Sequence, residues 1–116
     1  MSDDFQIASG PATGGTVLLR LKGRLDAKSA STLLHRCTQV REAGQNLVLN
    51  LSGVSFIASS GIGALLALVE QFRETQANVR FAALSAAVDS VIKLLNLGQF
   101  LTIDPSEDAA LAALEH

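Results

Sequence analysis

Residues 47–69, LVLNLSGVSFIASSGIGALLALV, are the stretch that decides the fold of this 116-residue chain. The run at 46–51 is compact and apolar, which is typical of a β-strand buried on both faces. Residues 52–58 are predicted to form a loop, after which two serines and two glycines mark the start of an apolar helix running to about Thr75. The stretch is therefore predicted to be one strand–loop–helix unit with a polar corner at 59–63.

Strand and helix periodicities on both sides of this unit predict an α/β domain. Asp26, Ser85 and Ser106 each precede a segment with helical periodicity, and we predict that they are N-caps. The predicted elements, in chain order, are strands 5–8 and 16–21 joined by a turn at 10–15, a helix between Asp26 and Gly44, strand 46–51, the helix from the 59–63 corner, strand 78–84, a helix from Ser85 to Gly98, an edge strand 100–103 and a helix 107–114.

The order of these elements, β-β-α-β-α-β-α-β-α, determines the expected topology. Strands that alternate with helices pair in parallel through right-handed crossovers, and the opening hairpin adds an antiparallel pair. We expect an α/β fold with a single-layer mixed sheet of four to five strands and about four helices packed mainly on one side. Residues 1–116 are taken as one domain, and Glu115 and His116, which resemble the remnant of a histidine tag, are given no function.

Composition and charge narrow the class of partner. Hydrophobic residues make up 48% of the chain and charged residues 17%, which excludes a disordered chain. The formal net charge is −2 and the basic residues are scattered, so a nucleic-acid surface is not expected. The single cysteine, Cys37, suits a reducing cytoplasm. We expect a cytoplasmic location without membrane insertion, because no signal segment is evident and the apolar run 62–69 is too short to span a bilayer.

Enzymatic chemistry has little support in this sequence. The serines at 59 and 60 lack a Gly-x-Ser-x-Gly elbow, and no His/Cys/Asp cluster has metal-ligand spacing. The phosphate-binding loop of ATP-dependent enzymes is also absent. We therefore expect no catalytic residue, no metal and no cofactor, and we interpret the chain as a protein-binding domain.

The corner at 59–63 is the candidate site. The first turn of a helix leaves backbone N–H groups unpaired, and the hydroxyl of Ser59 or Ser60 can cap them. The same N–H groups and the helix dipole favour an anion, including a phosphate attached to a serine there. Gly61 and Gly63 have no Cβ atom, which lets a partner approach closely.

The first half of the predicted helix is apolar nearly all round. The residues with the spacing of a face on the sheet are Ile62, Leu65, Val69 and Phe72. Ala64, Leu66 and Leu68 lie off that stripe, so either another helix covers them or they form a docking patch. A weak homodimer through this part of the helix is a further possibility.

Three motifs make the chain similar to a known family. Residues 49–63, LNLSGVSFIASSGIG, closely resemble the signature of the STAS domains in bacterial anti-sigma-factor antagonists. Residues 21–26, LKGRLD, are similar to the early strand-turn-helix motif of that family, and residues 84–88, LSAAV, to the start of its third helix. The resemblance extends from about Phe5 to Leu114, with the motifs in the family's order.

The resemblance implies a regulatory function. In the family, a GHKL-type serine kinase that is also the anti-sigma factor phosphorylates the first hydroxyl residue of the loop, which here is Ser59 in preference to Ser60. The unphosphorylated domain binds the kinase and frees the sigma factor, and the phosphorylated domain releases the kinase. The residues that the resemblance and the helix face assign to the phosphorylation and docking surface are Asp26, Ala58, Ser59, Ser60, Gly61, Ile62, Gly63, Ala64 and Leu66.

One departure from the family supports an alternative function. The family commonly has an aspartate immediately before the phosphorylated residue, and this chain has Ala58 there. Some STAS domains act as scaffolds that are not phosphorylated, or as soluble subunits of ABC-type lipid transporters. The alternative prediction is that this chain is one of those.

Overall fold

The computed structural model describes residues 4–11 and 14–115, and within them it has five strands and four helices. The strands are β1 (Gln6–Gly10), β2 (Thr16–Leu25), β3 (Asn46–Ile57), β4 (Val79–Ala82) and β5 (Ile103–Asp104). The helices are α1 (Ala27–Glu42), α2 (Ser59–Arg73), α3 (Ala86–Leu94) and α4 (Glu107–Ala113). The predicted element order is confirmed. Two residues of the predicted turn, 12 and 13, and the end of the predicted tag remnant, His116, lie outside the described residues.

The five strands form one mixed sheet in the spatial order β1-β2-β3-β4-β5. β1 and β2 are antiparallel, while β2–β3, β3–β4 and β4–β5 are parallel. This confirms the predicted combination of an opening hairpin with crossover units. It also places the ends of β2 and β3 at the same edge of the sheet, where α1 and α2 begin.

The two faces of the sheet are covered unequally. On one face, residues of the first three helices such as Leu33, Leu65 and Val88 join the strand residues Leu19 and Leu49 in the main core. On the other face, α4 supplies Ala110 to a smaller buried cluster whose strand members are Leu18, Val48 and Ala82. The predicted packing mainly on one side is confirmed, since three of the four helices share a face.

The predicted loop at 52–58 is wrong, because β3 continues to Ile57 and β2 continues to Leu25. The extra part of β3 pairs with β2, with Gly53 opposite Lys22 and Phe56 opposite Arg24. Gly53 reads as a turn residue, but a Cβ atom there would lie 2.7 Å from the carbonyl oxygen of Leu21. The glycine is needed because the two strands approach each other closely here. The register of the β2–β3 pair also shifts in this region.

Three of the four helix starts are as predicted. Asp26, Ser85 and Ser106 each accept a hydrogen bond from a backbone N–H of the first turn. The predicted cap by Ser59 or Ser60 is wrong, because both serines are already helical and the N-cap is Ala58, which makes no side-chain bond. The predicted closure of α3 by Gly98 is also wrong: α3 ends at Leu94, and Asn96 takes the left-handed conformation with φ 56°.

Candidate functional site at the start of α2

The ends of β2 and β3 bring the starts of α1 and α2 together. Leu25 pairs with Ile57, and the N–H of Ala58 donates to the carbonyl oxygen of Leu25 at 3.0 Å. The next residue after Leu25 is Asp26, the N-cap of α1. Two helix N-termini therefore begin from neighbouring positions on the same sheet edge.

Ser59 is the first residue of α2 and is exposed. Its hydroxyl makes no hydrogen bond to another described residue. It makes no capping bond because the N-cap position is held by Ala58. The N–H groups of 59–61 have no intrahelical acceptor, and the first turn of α2 contains no acidic residue. The corner thus offers an accessible hydroxyl at the positive end of a 15-residue helix.

The two glycines of the corner have different roles. A Cβ atom at Gly61 would lie 2.6 Å from the carbonyl oxygen of Leu25 and 2.8 Å from Cγ1 of Ile57, so Gly61 is required by packing inside the domain. A Cβ atom at Gly63 would meet nothing within 4 Å, and the residue is exposed. Gly63 therefore has no internal reason to lack a side chain.

The apolar face of α2 is mostly covered within the domain. Of the two possibilities for Ala64 and Leu68, cover by another helix or a docking patch, the structure shows cover. The two residues are 3% and 0% exposed, and α1 packs beside α2. Ile62 is buried in the main core, and Leu66 is partly buried against it. On the α2 side of the candidate surface, the residues that a partner can reach directly are therefore Ala58, Ser59, Ser60 and Gly63, with Leu66 at its side.

Asp26 is fixed beside this corner by a capping box. The N–H of Ser29 donates to Asp26 Oδ1 at 3.2 Å, and the N–H of Asp26 donates to Ser29 Oγ at 2.8 Å. The hydrogen bonds that the Asp26 carboxylate accepts from Ser29, first from its backbone N–H and then from its hydroxyl, lower the pKa of the Asp26 carboxyl below its ordinary value. Asp26 borders an open depression of about 570 Å³ that is also lined by Arg24 and Lys28. The ionised form of Asp26 is therefore favoured at this edge.

A contact between Arg24 and Phe56 was missed by the sequence analysis. The guanidinium carbon of Arg24 lies 4.1 Å from the centroid of the Phe56 ring, on the strands that lead into the corner. Phe56 is 39% exposed. The two residues are 32 positions apart, so only the pairing of β2 with the extended part of β3 reveals the contact.

The other reactive side chains do not converge on the corner. Cys37 is fully buried in the main core, and burial raises the pKa of its thiol to about 12. His35 is exposed on α1. Over residues 4–11 and 14–115, no three His, Cys, Asp or Glu side chains are grouped as metal ligands would be. The same residues contain no helix that is both long and apolar enough to cross a membrane.

Comparison with known proteins identifies the class. A model of the STAS domain family matches residues 9–110. The chain belongs to the STAS domain family.

Individual relatives agree with this assignment. The anti-sigma-F factor antagonist RsfA of Mycobacterium tuberculosis is 27% identical over 100 residues, which cover 84% of this chain and 78% of RsfA. The structure of an anti-sigma factor antagonist from Mycobacterium paratuberculosis matches with a TM-score of 0.81 at 26% identity, over 100% of both chains. The unphosphorylated form of the antagonist SpoIIAA matches with a TM-score of 0.74 at 23% identity, over 95% of this chain and 96% of that one. The phosphorylated form of Bacillus SpoIIAA matches with a TM-score of 0.70 at 22% identity, over 95% and 99%.

Proposed function

We propose that this STAS domain is an anti-sigma-factor antagonist. It binds a kinase-type anti-sigma factor of the GHKL class in the cytoplasm, frees the sigma factor, and is released when Ser59 is phosphorylated. It acts by docking rather than as an enzyme, which agrees with the antagonist role of the relatives named above. The observation that carries the proposal is the exposed Ser59 at the start of α2, one turn before the open position at Gly63.

The charge of a phosphate explains how such a switch works. A phosphate on Ser59 adds about −1.5 to −2 charges and three strong acceptor oxygens. Its interaction with the α2 terminus is worth about 0.3–1 kcal/mol, so the fold is retained. Inside a docked interface the same charge has to be desolvated, which costs several kcal/mol when it is unpaired. Each 1.4 kcal/mol of that cost is a tenfold loss in affinity.

The alanine at 58 does not prevent this chemistry. An aspartate at the N-cap would accept hydrogen bonds from the first turn of α2 and place a negative charge beside Ser59. With Ala58 there, the N–H groups of the first turn have no side-chain competitor for a phosphate. The alanine removes a side chain that can orient the serine in a kinase site. We therefore expect it to lower the rate of phosphorylation.

Two experiments test the proposal. Incubation of the protein with purified GHKL-type kinases and ATP should add one phosphate by intact mass, and the Ser59→Ala variant should remain unmodified while Ser60→Ala is modified. In a pull-down with the same kinase, wild type and Ser59→Ala should bind, and Ser59→Asp should not. Equal binding by wild type, Ser59→Ala and Ser59→Asp rejects the switch.

Ala58 also favours a second candidate function. Without an acidic residue before Ser59, the domain can serve as a STAS scaffold that is not phosphorylated, or as a soluble subunit of an ABC-type lipid transporter. An unmodified protein in the kinase assay, together with co-purification of transporter subunits, supports this candidate. Neighbouring genes for a kinase and a sigma factor support the first.

A further inference from the structure

One face of β2 carries a row of positive charges. From Leu19 onward β2 alternates buried and exposed residues, and the exposed ones are Arg20, Lys22 and Arg24. Residues at alternate positions of a strand point to the same face of the sheet. β1, β2 and β3 contain no aspartate or glutamate, so no carboxylate on these strands opposes the row.

Within residues 4–11 and 14–115, only the first of these cations is neutralised by an ion pair. Arg20 Nε donates to Glu107 Oε2 at 2.7 Å, and Arg20 Nη2 donates to Glu107 Oε1 at 2.9 Å. Beyond that point, no ion pair joins Lys22 or Arg24 to a carboxylate among the described residues. Among the described residues, the acids near the row are Asp26, whose carboxylate accepts from Ser29 and also interacts with the charge of Arg24, and Asp4, whose backbone lies against Gly23. Neither forms an ion pair with Lys22 or Arg24, so these two cations keep their hydrogen-bond donors available on a chain whose formal net charge is −2.

Arg24 is held in place by stacking, and its N–H groups donate to no other residue in the part of the chain that the structure describes. Its guanidinium stacks over Phe56 at 4.1 Å, which is a cation–π contact. A stacked guanidinium still presents its fork of N–H groups, which matches a carboxylate with two parallel hydrogen bonds. Lys22, Arg24 and Phe56 together are called the Arg24 platform. The platform offers a charged guanidinium stacked on a partly exposed aromatic ring.

The platform is continuous with the Ser59 corner. Phe56 lies three residues before Ser59, and Arg24 lies two residues before Asp26. α4 covers Leu18 and Val48 earlier in the same two strands, which leaves the later part of this face without a helix. A partner that docks on the corner can therefore extend over the edge of the sheet onto the platform.

We propose that the Arg24 platform is a second part of the docking surface and binds an acidic segment of the anti-sigma factor with an apolar side chain beside its carboxylates. The assignment rests on the proposed function, since the partner is the same. Two cations on an acidic protein neutralise few phosphates, so a nucleic acid is a poorer match than an acidic protein segment. Ser59 controls release, and the platform contributes the attraction and the orientation of the partner.

The test compares binding of the purified anti-sigma factor to variants at the two sites. The double variant Lys22→Glu/Arg24→Glu should bind about tenfold more weakly at low salt, and high salt should reduce the difference. Arg24→Lys keeps the charge but not the planar fork, and should give an intermediate loss. The control for charge reversal elsewhere is Arg73→Glu, which reverses one exposed cation at the far end of α2, against two in the double variant, and should stay within about twofold of wild type.

The outcomes separate this proposal from the one on which it rests. If Lys22→Glu/Arg24→Glu binds like wild type while Ser59→Asp does not bind, the platform is outside the interface and the switch stands. If all variants bind equally, both proposals fail. If the double variant leaves the anti-sigma factor bound but abolishes binding to duplex DNA or to vesicles of anionic lipid, the platform serves one of those partners and the acidic-segment proposal is overturned.

Discussion

Replacing each glycine of the α2 corner by alanine should change stability in opposite directions. At Gly63 the added methyl group meets nothing within 4 Å, and alanine is favoured over glycine in a helix by about 0.8–1 kcal/mol. Gly63→Ala should therefore raise the free energy of unfolding by about that amount. For a domain of this size the gain corresponds to a Tm increase of about 3–6 °C.

At Gly61 the same methyl group should be destabilising. It would lie 2.6 Å from the carbonyl oxygen of Leu25, which belongs to the backbone and cannot move aside as a side-chain end can. Overpacking of this kind costs about 1–3 kcal/mol, which exceeds the gain in helix propensity. After the propensity gain is subtracted, we expect a net loss of up to about 2 kcal/mol for Gly61→Ala. Each variant is thus the matched control of the other.

Urea unfolding followed by far-UV circular dichroism measures both effects, since the chain has no tryptophan or tyrosine for a fluorescence signal. Binding to the anti-sigma factor is then measured on the folded variants. Gly63→Ala should bind more weakly than wild type although it is more stable, because a partner that approaches the bare backbone meets the new methyl group. A Gly63→Ala protein that is less stable than wild type would refute the open geometry. One that is more stable and binds equally would refute the role of Gly63 in docking.

Three further predictions concern the rest of the fold. Glu107→Gln should lower the free energy of unfolding by about 1–2 kcal/mol at neutral pH in urea titrations, because Glu107 accepts hydrogen bonds from Arg20 and Asn50. These hydrogen bonds, first those of Arg20, lower the pKa of Glu107 below its ordinary value of 4.5. The stability that Glu107 contributes is therefore present above that pH and is lost as the pH falls through the lowered pKa. Glu107→Gln should weaken this fall in the free energy of unfolding at acid pH, and an unchanged fall would contradict the assignment. Asp104→Ala should lower the free energy of unfolding by about 2–3 kcal/mol in the same titrations, since it removes the carboxylate that Arg80 contacts at 2.8 and 3.0 Å. Glu70→Ala, which breaks the exposed pair with Arg73, should lower it by less than about 0.5 kcal/mol. Equal losses would contradict this reasoning. Cys37 should resist alkylation by iodoacetamide in the native protein and react on unfolding, by intact mass, because its buried thiol has a pKa of about 12; rapid native labelling would show that the core opens at α1.

Local signals account for the parts of the fold that the sequence predicted well. Asp26, Ser85 and Ser106 are short polar residues directly before helical periodicity, and the physics of capping acts over three residues. The alternation in β2 and the apolar run of β3 likewise depend on neighbouring positions. Element order and topology follow from such local patterns combined with the handedness of crossovers.

The features that sequence reasoning missed depend on contacts between distant residues. Gly53 resembles a turn residue until Leu21 is known to lie opposite it, and Ser59 resembles a cap until Ala58 is seen to pair with Leu25. The Arg24–Phe56 stack needs the register of the extended strand pair. The alternation of Arg20, Lys22 and Arg24 is visible in the sequence, but nothing in it indicates which ring lies beside the row.

A switch at Ser59 can act without a change of fold, because no hydrogen bond among residues 4–11 and 14–115 uses its hydroxyl. The helix start is fixed instead by backbone and packing: Ala58 donates to Leu25, Ile62 donates to the carbonyl of Ala58, and Gly61 fits against Leu25. None of these contacts uses the hydroxyl of Ser59, so we expect a phosphate on it to leave them in place. Under the proposed function, the corner therefore separates two tasks: its backbone presents the serine, and the charge on the serine side chain controls release of the partner.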